Sequence, residues 1–347
     1  MKPTSASINL SAPVYILCAI IGAYLGASGP LSAQQSETKS AATKSADTKS
    51  GSTKPASTTT AVSPVAAKTF VTPQQAADAL ADAAEKFDVV ALTRIFGPGG
   101  NDIIFSGEFA QDRKHAADFA AEAREKKSVS IDPKTHTRAF LLVGKEEWPF
   151  PVPLVQRGGK WFFDSNAGRE ELLYRRIGAN ELDAIEICHG YVEAQDEYAL
   201  QQRKLYDVNQ YAQRIVSTPG KQDGLAWQNP DGTWGGPVGE NIAKAIEQGY
   251  TSGSEPYHGY FFKILKGQGP AAPLGQMDFV VKGLMIGGFA LVAAPAEYEV
   301  TGVRTFIVSH DGVVYEKDLG PQTLDEFKKM ELFNPDKSWS PVQENPE

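Results

Sequence analysis

The first regular pattern in the chain is a helical spacing of apolar residues that begins just after residue 72. Thr72 is suited to be a helix N-cap and Pro73 to be the first helical residue. The apolar positions that follow recur every three or four residues, at Ala76, Ala77, Leu80, Ala84 and Phe87. The same pattern predicts two more helices, at Val89–Phe96 and from Asp112 to Lys126.

The pattern then changes to short apolar runs that are typical of strands. The predicted strands are Arg138–Val143, Phe150–Val155 and Trp161–Asp164. Around the second of these, Pro149, Pro151 and Pro153 alternate with apolar residues. Because proline cannot donate a ladder hydrogen bond, we expect this segment at the edge of a sheet.

The second half opens with a helical pattern over residues 167–202. Gly178-Ala179-Asn180 predicts a break, after which Asn180 would cap a second helical segment from Glu181 to Gln202. Cys188 lies on the apolar stripe of that segment, which favours a buried thiol over a nucleophile. The strands predicted downstream are Gly259–Leu265, Asp278–Val281, Gly288–Ala293, Arg304–Ser309 and Val313–Tyr315, with a tight turn at His310–Gly312.

These patterns predict an α+β fold made of two units. Residues 70–166 would form a helical unit with a small curved antiparallel sheet. Residues 167–343 would form a long helix followed by an antiparallel meander.

The segment before residue 70 predicts export. The apolar run Pro13–Ala27 is shorter than the roughly 20 residues of a membrane-spanning helix. Small residues follow it, so we predict a signal peptide at 1–33, cleaved after Ala33 and leaving no stable membrane span, with an uncleaved anchor as the alternative. Residues 34–69 repeat a Thr-Lys-Ser/Pro-Ala/Gly unit without large apolar side chains, which predicts a disordered low-complexity tether. The expected location is the periplasm or the extracellular space.

The predicted folded part is strongly acidic. The whole chain has a formal net charge of −8. Six of its 34 Lys and Arg residues and two of its 42 Asp and Glu residues precede residue 70, so the remainder carries a charge of −12. Nucleic acids and anionic membrane surfaces are bound through patches of Lys and Arg, so we expect neither as a partner.

Each unit resembles a known fold. The order of helices, sheet and final Gly159–Asp164 strand in 70–166 resembles the nuclear-transport-factor-like superfamily. The second unit resembles the globular half of type IV pilins and pseudopilins. That resemblance is carried by Asn180-Glu181, Ala184-Ile185, Ala194-Gln195, Tyr198, Tyr211-Ala212, Gly259–Phe262, Phe289–Pro295 and Gly302–Gly312. The amphipathic segment Glu170–Arg176 departs from the apolar half-helix of a polymerising pilin.

Taken whole, residues 70–343 resemble an uncharacterised family of exported bacterial proteins, the domain of unknown function 2950. The segments that carry this resemblance begin at Phe70 (FVTP), Trp148 (WPFPVPLV), Arg176 (RIGANEL), Ser217 (STPGKQDGL), Pro256 (PYHGY) and Val314 (VYEKDLG). The resemblance implies a cell-envelope location. It supplies no catalytic residues.

Candidate functional residues are few. Tyr257-His258-Gly259-Tyr260 places a histidine between two tyrosines at the start of a strand, where it could be a general base, a ligand contact or the partner of a turn carbonyl. Trp227 and Trp234 flank a loop that could expose a recognition surface. The binding residues that we predict are Trp227, Trp234, Tyr257, His258 and Tyr260. No motif for a metal, phosphate or cofactor is present.

The sequence therefore favours a non-enzymatic binding or assembly module of the cell envelope, whose partner would be an envelope protein or a glycan. The alternative is an envelope hydrolase that acts on a sugar or a peptide, with His258 as base and an acidic partner that the sequence does not identify. A pilus subunit is a third possibility, and it predicts an exposed apolar face on residues 167–179.

Overall fold

A computed structural model describes residues 66–238 and 256–343 of the chain. The predicted signal peptide (1–33) and nearly all of the predicted tether (34–69) lie outside the described residues. The chain divides into two compact units, Met1–Glu170 and Glu171–Glu347. Across the residues described, no helix combines the length and the apolar character that crossing a bilayer requires.

Unit 1 begins with four helices, and the predicted helix starts are confirmed for the first two. Thr72 caps α1, since its hydroxyl accepts a hydrogen bond from the Gln75 amide at 3.2 Å, and Asp88 caps α2 through the Ala91 amide. The predicted third helix starts at Phe109, three residues earlier than expected, and a short helix precedes it. The helices are α1 (Pro73–Glu85), α2 (Val89–Phe96), α3 (Asn101–Ile104) and α4 (Phe109–Glu125).

The helices of unit 1 pack on an antiparallel sheet in which β3 pairs with β2 and the other strands run in the order β1-β2-β4-β5. The strands are β1 (Lys127–Ile131), β2 (Arg138–Val143), β3 (Trp148–Pro149), β4 (Leu154–Arg157) and β5 (Lys160–Phe163). The sequence analysis missed β1. The predicted strand Phe150–Val155 is wrong over Phe150–Pro153, where the prolines interrupt the ladder although Phe150 and Val152 remain buried.

A single helix, α5 (Ser165–Tyr206), runs from unit 1 into unit 2. The predicted break at 178–180 is wrong. Gly178 is tolerated within the helix, and Asn180 is not an N-cap, because its buried amide donates to the Thr301 carbonyl at 2.8 Å. The Asn180 side chain, which the local sequence pattern assigned to a helix N-cap, therefore makes a tertiary hydrogen bond instead.

Unit 2 is built on an antiparallel sheet in the order β16-β15-β14-β13-β8. One face packs against α5, since Tyr191 of the helix lies in one buried cluster with Phe262 and Ile264 of β8. Tyr191 also packs on Phe289, just before β13, with ring centroids 5.6 Å apart. The predicted α+β class is confirmed. The sheet strands are β8 (Tyr260–Leu265), β13 (Ala290–Pro295), β14 (Arg304–Ser309), β15 (Val314–Asp318) and β16 (Ser340–Pro341).

Three two-stranded ribbons and two helical elements complete the described part of unit 2. The predicted strand Asp278–Val281 is divided between two of these ribbons. The ribbons are β6–β7 (Trp227–Gln228, Trp234–Gly235), β9–β10 (Gly267–Gln268, Met277–Asp278) and β11–β12 (Val280–Val281, Leu284–Met285). The helical elements are a 3₁₀ turn (Gly320–Gln322) and α6 (Thr323–Lys329).

Candidate functional site

A two-residue turn presents His258 at the start of β8. The Tyr257 amide donates to the Tyr260 carbonyl at 3.0 Å, and the Tyr260 amide donates to the Tyr257 carbonyl at 2.9 Å. His258 and Gly259, the two central residues, have φ of 46° and 73°. Paired bonds with positive φ at both positions are the pattern of a type I′ turn, whose usual first residue is Asn, Asp or Gly.

Histidine is a costly choice at the first position of this turn. A left-handed conformation costs an L residue with a Cβ about 1–2 kcal/mol, although histidine is found there more often than most residue types. Backbone strain of this kind persists where the surrounding structure enforces it, and it is concentrated at functional sites. His258 is therefore held outward by a strained but fully hydrogen-bonded turn.

The imidazole of His258 contacts a carboxylate from helix α5. Its Nδ1 lies in hydrogen-bonding contact with Oδ2 of Asp183. The side chains are 43% and 27% exposed respectively, so the pair is open to solvent on one side. The sequence left three roles open for His258: a general base, a ligand contact or the partner of a turn carbonyl. The structure replaces the bond to a turn carbonyl with a bond to Asp183, an acidic partner 75 residues away.

Tyr257 completes the cluster. Its ring packs against the His258 ring with centroids 4.3 Å apart and planes inclined at 56°. Partial burial raises the pKa of the Tyr257 hydroxyl, and the negative charges of Asp183 and Glu186 raise it further. We call Asp183, Glu186, Tyr257 and His258 the turn cluster.

The predicted Tyr260 does not belong to the surface. Its side chain is fully buried, packs on Phe306 and donates from its hydroxyl to the Arg304 carbonyl at 2.8 Å. Burial raises the pKa of this hydroxyl far above its ordinary value, and the charge of Glu181 adds to the effect. Tyr260 is a core residue that anchors the turn.

The two predicted tryptophans lie on opposite faces of the β6–β7 ribbon. Trp227 pairs across the ribbon with Gly235, so these two residues share a face, and Trp234, next to Gly235, faces the other way. The Trp227 ring lies over Gly235, where an added Cβ would come within 2.8 Å of its Nε1. Both rings are half-buried against the unit 2 core, and the structure does not bring them together as one platform.

Other candidate groups are structural. Cys188 is fully buried, and burial raises the pKa of its thiol to about 12. His310 packs edge-on to Phe279 and Phe289, whereas the neighbouring Asp311 accepts hydrogen bonds from Ser309 and Val313, so the two residues form no dyad. Over 66–238 and 256–343, no group of three His, Cys, Asp or Glu side chains is arranged to hold a metal ion.

The sequence analysis missed Asp183 and Glu186, the acidic members of the turn cluster. A signal was present, because residues three apart on a helix share a face. That spacing is common in an acidic chain, however, and it could not indicate which turn would pack beside the helix.

Comparison with known proteins places the chain in a family. A family model described as "Protein of unknown function (DUF2950)" matches residues 67–342. No curated protein and no solved structure matches the chain. The resemblance to pilins stays a prediction. The family predicted from the sequence motifs is confirmed: the chain belongs to the DUF2950 family of proteins of unknown function.

Proposed function

We propose that this chain is an exported cell-envelope protein that acts as a non-enzymatic binding or assembly module through the turn cluster. The observation that carries the proposal is the strained turn at His258, together with its contact to Asp183. An asparagine would stabilise the same turn at lower cost, so the stability of the turn alone does not account for histidine. A ligand contact through a half-exposed imidazole does account for it.

Two further features support a binding module: the charge of the folded part, which bears on the class of partner, and the surface of residues 167–179, which bears on polymerisation. The acidic body disfavours nucleic acid and anionic lipid as partners, which leaves envelope proteins and glycans. Within 167–179, all of which the structure describes, Tyr174 is the exposed large apolar side chain, while Leu172 and Ile177 are buried. A pilus subunit would require a broader apolar face there.

A hydrolase that acts on an envelope sugar or peptide is the second candidate, and the His258–Asp183 contact favours it. A carboxylate on Nδ1 orients an imidazole for proton transfer at Nε2. His258 would then be a general base that deprotonates an attacking water, with Asp183 as its positioning residue. Release of product from an envelope polymer, lost in His258→Asn, would favour this candidate over the binding module.

Site-specific photo-crosslinking tests the binding module. A photoreactive phenylalanine analogue replaces Tyr257 in the full chain, expressed in its native cell, and a second variant carries the analogue at the exposed Leu200 as control. We expect a discrete crosslinked product from position 257 that is absent from position 200 and is lost when His258→Asn is added. Identical products from both positions, or none from 257, would contradict the proposal.

A further inference from the structure

The contact with Asp183 fixes which nitrogen of His258 carries the proton. An ionised carboxylate only accepts hydrogen bonds, so Nδ1 of His258 is the donor to the Asp183 carboxylate. In the neutral imidazole, Nε2 then carries the lone pair and acts as an acceptor. The His258 side chain is 43% exposed, so a ligand can reach the ring from solvent.

The remaining polar groups of the turn cluster are also mainly acceptors. Asp183 has a second carboxylate oxygen, and the negative charge of the exposed Glu186 raises the pKa of the Tyr257 hydroxyl. The nearby Glu181 is already satisfied, because its Oε1 accepts the Val303 and Arg304 amides at 2.9 and 3.0 Å. A ligand must therefore bring hydrogen-bond donors.

Tyr257 adds an apolar element. Its half-buried ring, tilted against the His258 ring, supplies an aromatic surface beside these acceptors. A ligand that suits both features carries several hydroxyl donors next to a face of C–H groups. A pyranose ring has this combination.

We infer that the turn cluster binds a carbohydrate, with His258 Nε2 accepting a sugar hydroxyl, Tyr257 packing on the sugar ring, and Asp183 acting as the positioning residue for His258. The inference rests on the proposed function, and it selects a glycan over a protein as the partner. A cationic ligand would be bound by the carboxylates of Asp183 and Glu186 alone. The orientation of the His258 ring would then have no role in binding.

Two measurements on the full chain test this inference. The probes are a β-1,4-linked N-acetylglucosamine tetramer and maltotetraose, titrated by calorimetry and followed through the imidazole ¹⁵N shifts of His258. For the neutral imidazole of the free protein we expect a protonated Nδ1 and an unprotonated Nε2. On binding we expect a shift of the Nε2 signal and affinity for at least one sugar. His258→Asn, which suits the turn, should weaken binding by about two- to tenfold, the loss expected for one removed hydrogen bond to the ligand.

The role of Asp183 has its own readout. Asp183→Asn should redistribute the two ring tautomers and weaken sugar binding, and Asp183→Glu should restore part of both. Glu193→Gln, which makes the same change of charge at an exposed position of α5, is the matched control and should alter neither. An unchanged tautomer in Asp183→Asn would overturn the positioning role.

The outcomes separate this inference from the proposed function. Failure of both sugars to bind would overturn the inference, and a position-257 crosslink to a protein would then leave the binding module intact. Binding of a lysine-rich peptide at the same residues, without sugar binding, would also overturn it. Cleavage of a bound sugar would support carbohydrate as the ligand and contradict the proposal that the module is non-enzymatic.

Discussion

Substitutions at the two central positions of the turn should change stability in clearly different ways. At Gly259, with φ of 73°, an added Cβ would lie 2.6 Å from Nδ2 of Asn180 and 2.8 Å from Cβ of Thr301. Gly259→Ala therefore combines backbone strain of about 1–2 kcal/mol with overpacking of about 1–3 kcal/mol. We expect it to destabilise the protein by about 2–5 kcal/mol.

His258→Gly removes strain instead of adding it. Relief of the left-handed conformation contributes about 1–2 kcal/mol. The entropy of glycine, about 0.5–1 kcal/mol, and loss of the partly exposed Asp183 pair, at most about 1 kcal/mol, offset that gain. We expect a net change within about 1 kcal/mol of zero.

Gly312→Ala separates the two contributions at Gly259. Gly312 lies in unit 2 with φ of 75°, and an added Cβ there meets no atom within 4 Å. This control should cost about 1–2 kcal/mol, from backbone strain alone.

Urea denaturation of the full chain, followed by tryptophan fluorescence, measures all three variants. With a slope of about 2 kcal/mol per M, Gly259→Ala should lower the urea midpoint of the unit 2 transition by about 1 M or more. His258→Gly should leave that midpoint nearly unchanged. Equal losses from Gly259→Ala and Gly312→Ala, or a large loss from His258→Gly, would refute the turn geometry and its packing against Asn180.

Three further predictions concern unit 2. Because burial raises the pKa of Cys188 to about 12, its thiol should resist iodoacetamide at about pH 8 in the native protein and react after unfolding. Rapid alkylation of Cys188 in the native protein would contradict its burial. Partial burial opposes ionisation of Asp223, but hydrogen bonds from the Thr218 amide and hydroxyl outweigh it and lower its pKa below 3.8. The stabilisation from Asp223 should thus be full above about pH 4 and be lost as the pH falls further. Asp223→Asn should therefore flatten the pH dependence of the urea midpoint in acid. An unchanged pH dependence of the midpoint would refute this. The buried Gln195 side chain makes two hydrogen bonds of 2.8 Å with the Ala212 backbone, one to its carbonyl and one from its amide. Gln195→Leu would leave these two backbone groups buried without partners, so it should destabilise the protein by about 2–4 kcal/mol in the same urea denaturation. A neutral result would contradict the pairing.

Features set by local sequence were predictable. The Thr72 cap begins α1 as expected, and α2 and β14 have the predicted bounds, because capping and residue periodicity act over a few positions. The break expected at Asn180 was wrong because the Thr301 carbonyl, 121 residues away, uses its amide. Local propensity gave no sign of that contact.

The candidate site was predictable only in part. The sequence placed His258 at the start of a strand but did not predict the two-residue turn, and its partner Asp183 is set by how β8 packs beside α5. The burial of Tyr260 likewise depends on the sheet, since alternate residues of β8 face the helix. The opposite directions of Trp227 and Trp234 follow from their register in the ribbon, which the sequence did not specify.

Photo-crosslinking from position 257, with and without His258→Asn, tests the central claim most directly, because it asks whether the turn cluster contacts a partner in the cell. The account predicts a discrete product from position 257 that disappears in His258→Asn while the urea midpoint does not fall. A product that persists in the folded His258→Asn variant would contradict the account.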